Sequence, residues 1–272
     1  IRAKVKNQLT SAIFAGSPSP HNWYHWIIDF LPAVFLANEL PGKFGSLPVL
    51  VPEVALRKSH WVQMLSTVIG GRPIIPLQRE TYTRVDELIW VHGPTARARK
   101  NHSSGLAEFV IEQETINHFR RHVLVKLGLV YDKNRPKTKV FLGRSPGSLR
   151  PYNQDEIFEI AREYGFEMMY PDRVTLRESL DQLLHSEFII GPHGAGWASA
   201  LFAEEAKASL IWTWDEAKHE NWFHNVLGSR GIRFKTVFTG PGSNASGYQL
   251  SKELFRVALD EITSSPYKTA GG

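Results

Sequence analysis

Two groups of residues in this sequence have types and spacings that could do chemistry. His21, His25 and Asp29 recur every four residues, and on a helix that spacing puts them on one face. A carboxylate one turn from an imidazole is an acid–base pair. Asp29 could take a hydroxyl proton directly, or orient His25 and raise its basicity. Two other readings stay open for the same residues: a satisfied structural pair, and a metal site, although no H-E-x-x-H pattern is present. His21, among prolines at the helix entrance, also reads as a plain loop residue or cap. The second group is the run Glu187-Phe188-Ile189-Ile190-Gly191-Pro192-His193-Gly194-Ala195-Gly196. It reads as a buried strand, a glycine-rich turn and a helix opening at 198–206. Glycines let backbone N–H groups approach a ligand closely. A helix start adds unpaired donors and the positive end of the macrodipole. Together they suit a diphosphate, with His193 as a further donor; a bare tight turn is the bland alternative.

Other polar residues fall where strands should end. Arg144 closes a strand over 139–144 and suits a phosphate, or is a surface arginine. Arg150 follows it, and Asn153 reads as a helix N-cap before Asp155 and Glu156. Trp212 and Trp214 end another strand, where an indole could stack on a base. His118, His122, His185, His219 and His224 lack nearby partners in sequence and read as structural. No nucleophile elbow, P-loop or kinase pattern is present.

These groups need a scaffold, and the pattern supplies one. From 139 onward, strands over 139–144, 166–170, 187–191, 209–214 and 233–238 alternate with helices over 153–164, 175–185, 198–206, 221–229 and 250–262. Such alternation implies βαβ units and a parallel sheet. The first half is less regular. Strands read over 11–15, 48–51 and 85–92, with Ile74-Ile75 a further candidate. Helices read over 22–40, kinked at Pro32, and over 56–69 and 106–127. The polar stretch 131–137 reads as a linker between lobes 1–134 and 135–272. Open α/β sheets bind ligands beyond their strands' C-terminal ends, so the expected site is a cleft where two such edges face.

The composition is that of a globular chain: 272 residues, 42% hydrophobic, 11% aromatic. No apolar stretch reaches the ~18 residues that cross a bilayer. The absence of cysteine excludes disulfides, thiolate metal sites and cysteine nucleophiles, and favours a cytoplasmic setting. A net charge of +5 favours anionic partners: nucleotide phosphates, acidic glycans or the inner face of an anionic membrane. Nucleic acid is not expected, since the one dense basic run (Arg97, Arg99, Lys100, His102) comes without a recognition motif. Sequons at Asn101 and Asn244 permit glycosylation only in a secretory context. The tail over 264–272 reads as frayed.

Three blocks resemble glycosyltransferase family 61, the capsular-polysaccharide-biosynthesis-like group. Asn22-Trp23-Tyr24-His25-Trp26-Ile27-Ile28-Asp29-Phe30-Leu31-Pro32 is similar to its N-x-Y-H-W-x-x-D-x-L-P segment. Phe141-Leu142-Gly143-Arg144 with Arg150 and Asn153 resembles its R…R-x-x-N-x-x-E segment. Gly191-Pro192-His193-Gly194-Ala195-Gly196 with Leu201-Phe202 resembles its G-x-H-G-A-G signature. The resemblance implies a GT-B fold of two Rossmann-like lobes facing a central cleft, and inverting transfer from a nucleotide sugar, a UDP-sugar first, to a glycan or glycolipid hydroxyl. It implies no cofactor and no required metal. Donor contacts would come from His193, Gly194, Ala195, Gly196, Arg144, Arg150, Asn153 and Trp212. Asp29 and His25 would be catalytic, with His21 and Asn22 on the acceptor side. Trp197 and Ser199 depart from the usual Leu and Asn, and the strand over 209–214 lacks the Glu that commonly ends it. An epimerase of the same architecture and a binding module without turnover are the rival expectations.

Overall fold

A computed structural model describes residues 5–16, 19, 21–97, 109–214, 222–243 and 245–264. Arg99, Lys100 and His102 of the basic run, both sequon asparagines, His219 and the tail beyond 264 lie outside the described residues. The chain divides into two compact units, one of residues 1–96 and 110–129, the other of 97–109 and 130–272.

The first unit is built on four parallel strands, β1 (Val5–Ala15), β2 (Val49–Pro52), β3 (Ile74–Leu77) and β4 (Tyr82–Val91), in the order β3-β2-β1-β4. The chain winds outward from β1 to β3, then crosses to the far side of β1. The order therefore reverses between β1 and β4, and ligands of open α/β sheets bind at such a reversal. Short strands β5 (Thr95–Arg97) and β6 (Phe109–Ile111) pair with each other. Helices α3 (Glu53–Leu56) and α4 (Ser59–Val68) follow β2, and α5 (Gln113–Lys126) follows β6.

The segment expected as one helix over 22–40 is composite. It runs through α1 (Trp23–His25), a π-helical turn (Trp26–Phe30), α2 (Leu31–Leu36) and a 3-10 turn (Ala37–Glu39). Pro32 is the physical cause. It has no N–H for the Ile28 carbonyl, and its ring crowds that carbonyl. The helix widens one turn earlier, where the Leu31 N–H reaches the Trp26 carbonyl five residues back. The helix expected over 106–127 starts only at Gln113. Glu112 caps it, its carboxylate accepting from the N–H groups of Glu114 and Thr115 at 2.8 and 2.7 Å. The Phe109–Ile111 run ahead of it is a strand. The helix expected over 56–69 is two, broken at residues 57–58.

The second unit holds five parallel strands, β7 (Thr138–Leu142), β8 (Glu167–Met169), β9 (Ser186–Pro192), β10 (Ala208–Thr213) and β11 (Arg233–Phe238). Their order is β11-β10-β9-β7-β8, the flavodoxin-like arrangement, with its reversal between β7 and β9. Every residue of the interior strand β10 is buried, as expected of a parallel strand covered on both faces. Helices α6 (Gln154–Glu163), α7 (Leu176–Leu184), α8 (Trp222–Ser229) and α9 (Lys252–Ser264) complete the alternation. Thr175 and Glu178 form a reciprocal capping box at the start of α7. After β9 the expected helix over 198–206 is instead a 3-10 spiral, Ala195–Phe202. Small residues at 195, 196, 198, 199 and 200 tolerate the eclipsed side chains of that tighter winding. Among the described residues no helix is long and apolar enough to cross a membrane.

Candidate active site

In the first unit the chemistry gathers at the β1/β4 reversal. His25 and Asp29 are 8% and 6% exposed, and Nδ1 of His25 lies 2.6 Å from Oδ2 of Asp29. A carboxylate oxygen accepts, which places the shared proton on Nδ1. The other carboxylate oxygen accepts from the Thr95 hydroxyl at 2.5 Å. Both oxygens of Asp29 are therefore engaged, one by the His25 ring and the other by the Thr95 hydroxyl. The chain end of β4 presses on the same turn: a Cβ at Gly93 would sit 2.6 Å from the Asp29 carbonyl oxygen. His21 is exposed at the entrance. Asn22 is an N-cap, its Oδ1 accepting from the Tyr24 N–H at 2.9 Å. The metal reading gains nothing from this arrangement. Among the described residues no three His, Cys, Asp or Glu side chains are grouped to hold an ion.

In the second unit the chemistry gathers at the β7/β9 reversal. The Arg144 guanidinium donates to the carbonyls of Arg150 and His193, tying the end of β7 to the end of β9. Burial pushes its pKa below the usual arginine value, the mark of a cation short of solvent. Gln154 holds the Arg144 backbone at both ends: Oε1 accepts from its N–H at 2.7 Å and Nε2 donates to its carbonyl at 3.0 Å. Arg150 sits at φ +63°, a region costly for a side-chain-bearing residue, and its guanidinium lies 5.6 Å from the Trp214 ring centre. A Cβ built on Gly194 would be 3.7 Å from the Arg144 Nη2 and 3.9 Å from the Arg150 Nη2. Both cations thus converge on the glycine turn, where the first N–H groups of the 3-10 spiral (Ala195, Gly196) lack intrahelical partners by geometry. His193 is buried at this turn, its backbone N–H on the Trp212 carbonyl at 2.8 Å and its ring 4.6 Å from that of Phe223. A cavity of about 350 Å³ opens beside Arg144, lined by Ser145, Ser148, Tyr152, Asn153 and Asp155 among others.

Two expected donor contacts change character. Trp212 is fully buried, packed among Phe141, Tyr152 and Phe255, so its ring offers no face to a base. Asn153 precedes α6 but does not cap it. Its amide instead brackets Leu250, Oδ1 accepting from the N–H at 2.9 Å and Nδ2 donating to the carbonyl at 3.1 Å. Trp197, one of the departures in the motif, has a packing reason: its indole N–H donates to the Pro192 carbonyl at 3.0 Å and closes the turn. The histidines read as structural include His122, His185 and His224, each bonded to a neighbouring backbone or hydroxyl group.

Thr95, Gly93 and Gln154 are the site residues that sequence reasoning misses. Thr95 and Gly93 are more than sixty residues from the histidine–aspartate helix, and no local pattern singles them out. Only the position of Gln154 at the first turn of an expected helix hinted at a role.

No curated protein matches the chain. A family model described as Glycosyltransferase 61 matches residues 23–210, which takes in the helix of His25 and Asp29, both arginines and the glycine turn. On that match the chain belongs to glycosyltransferase family 61.

Proposed function

We propose that the protein is an inverting glycosyltransferase that uses a nucleotide-sugar donor and needs no metal ion. The observation that carries this reading is the convergence of Arg144 and Arg150 on the Gly194 turn at a topological reversal. Two cations and a row of backbone donors suit a diphosphate, and they supply the positive charge that a metal supplies elsewhere. The reading assigns the donor side to 135–272 and the acceptor side to 1–134, in a GT-B organisation.

The step follows from the groups. Nε2 of His25 takes the proton of an acceptor hydroxyl while its oxygen attacks the anomeric carbon. The bond from that carbon to the diphosphate oxygen breaks, and the electron pair leaves on that oxygen. A single in-line displacement inverts the anomeric configuration. Asp29 holds the imidazole in its Nδ1–H tautomer and stabilises the imidazolium that forms. Arg144, Arg150, His193 and the N–H groups of Ala195 and Gly196 meet the charge growing on the leaving diphosphate, the preorganised stabilisation that contributes most in such sites. Acceptors are glycans or glycolipids, and the basic surface is suited to the inner face of an anionic membrane.

The test begins with thermal shifts for UDP, GDP, CDP, CMP and their sugars, each with and without EDTA. A ligand at a hundred times its Kd adds about 2.7 kcal/mol. The expected result is a shift with one nucleotide family that persists in EDTA. With that donor, Asp29→Asn should keep binding and lose transfer. A shift abolished by EDTA refutes metal independence, wild-type turnover in Asp29→Asn refutes the base, and conversion of donor without acceptor identifies an epimerase.

A further inference from the structure

We propose that Thr95 is a positioning residue for this chemistry, the third member of a Thr95–Asp29–His25 relay; the inference rests on the transferase reading above. His25 alone would hold Asp29 by one oxygen. A carboxylate so held still turns about its last torsion, whose well is broad. The Thr95 hydroxyl donates to the opposite oxygen at 2.5 Å, while His25 Nδ1 meets the first at 2.6 Å. Donors on both oxygens fix the carboxylate plane, and the plane fixes the imidazole bonded to it.

Two buried hydroxyls elsewhere in the chain behave differently. Thr67 and Ser186 turn back to carbonyls three residues earlier, at 2.7 Å each, which is local backbone satisfaction. Thr95 reaches across 66 residues to a buried carboxylate. The chain around it is arranged for that reach. Gly93, without a Cβ, lets the loop after β4 lie against the Asp29 carbonyl. The Pro94 carbonyl accepts from the Glu112 N–H at 2.7 Å and anchors the loop from the opposite side. Thr95 is thus set between an anchored strand pair and the π-helical turn. Its hydroxyl donates to the carboxylate oxygen that the His25 ring does not engage.

The experiment compares Thr95→Val, which keeps shape and removes the donor, with Thr95→Ser, which keeps it. For Thr95→Val the expected result is a fall in kcat of about 10- to 100-fold, the scale of a misplaced catalytic group. Donor KM should stay unchanged, and the pH–rate limb belonging to the base should move. Thr95→Ser should restore both kcat and the limb. The His25 ring-nitrogen signals give a readout independent of turnover. They should change in Thr95→Val and stay as wild type in Thr95→Ser. If Thr95→Val does not fold, Thr95→Ala carries the same comparison. Wild-type kcat and unchanged ring signals in a folded variant without the hydroxyl would overturn the inference. If Asp29→Asn is inactive in that case, only the role of Thr95 falls; if Asp29→Asn is fully active, the transferase base falls with it.

Discussion

Gly93→Ala should uncouple the stability of the first unit from its fold and lower turnover without touching the donor. The added Cβ would stand 2.6 Å from the Asp29 carbonyl oxygen, 3.4 Å from its carbon and 3.5 Å from its Cα. Ordinary contact begins near 3.4 Å, so loop and helix must separate by about 0.8 Å. The helix cannot yield easily, since Trp26, Ile27, Ile28, Phe30 and Leu31 around Asp29 are at most 1% exposed. The loop moves instead and takes Thr95 with it, stretching a 2.5 Å hydrogen bond beyond its useful range. Overpacking of this kind costs about 1–3 kcal/mol. At about 2–4 °C per kcal/mol, Tm should fall by roughly 2–12 °C. A displacement approaching 1 Å near the chemistry costs up to about 100-fold in kcat. Differential scanning fluorimetry reads the first quantity and initial rates at saturating donor the second, with nucleotide titration to show that Kd is unchanged. Gly42→Ala is the control, since nothing lies within 4 Å of its added Cβ. A Gly93→Ala protein with lowered Tm but wild-type kcat would refute the claim that the β4 loop sets the position of Asp29.

Three further outcomes follow from the geometry. His193→Ala should leave the far-UV circular dichroism intact and weaken nucleotide binding by about 10- to 100-fold, the loss of a hydrogen bond to a charged group, read by calorimetric titration. Gly247→Ala should lower both Tm and nucleotide affinity: its φ is +75°, and a Cβ would sit 1.9 Å from the carbonyl oxygen of Pro151, next to Arg150. Burial lowers the pKa of His224, which stacks on Phe234, so the unfolded chain binds its proton more readily than the folded one. Its contribution to stability is complete above the ordinary value of 6.5 and is lost as pH falls through it. Tm should therefore drop less between pH 7.5 and 5.5 in His224→Gln than in the wild type.

The sequence shows the second unit more clearly than the first, for a physical reason. Strands such as 187–191 and 209–214 are buried along nearly their whole length, and their apolar centres, Phe188-Ile189-Ile190 and Leu210-Ile211-Trp212, stand out between helical stretches. The Phe109–Ile111 strand has only three residues and ends one residue before a helix begins, so periodicity merges the two. Only the Glu112 cap separates them, and its effect depends on backbone geometry. Pro32 announces a disturbance, but a missing N–H is equally compatible with a kink and with the wider turn that forms. In the site, His25 and Asp29 are legible because one helix carries both. Trp212 misleads because an aromatic residue near the end of a strand looks the same whether its layer is covered or open. Asn153 has the residue type of a cap, but a stronger demand from the Leu250 backbone takes its amide elsewhere.

That amide sets a schedule for the protein's synthesis. The loop carrying Arg150 is shaped by chain that lies about a hundred residues later: Asn153 grips Leu250 across 97 positions, and the Tyr248 N–H bonds the Pro151 carbonyl at 3.0 Å. A ribosome adding about 5–20 residues per second needs some 5–20 s to cover that interval. Throughout it, β7 and the arginines are already made but their loop has no template. The nascent chain therefore passes through a stage in which the histidine–aspartate pair has all its parts and the anion turn does not. A chain that ended before Gly247 would keep its acid–base pair and lack a shaped donor loop.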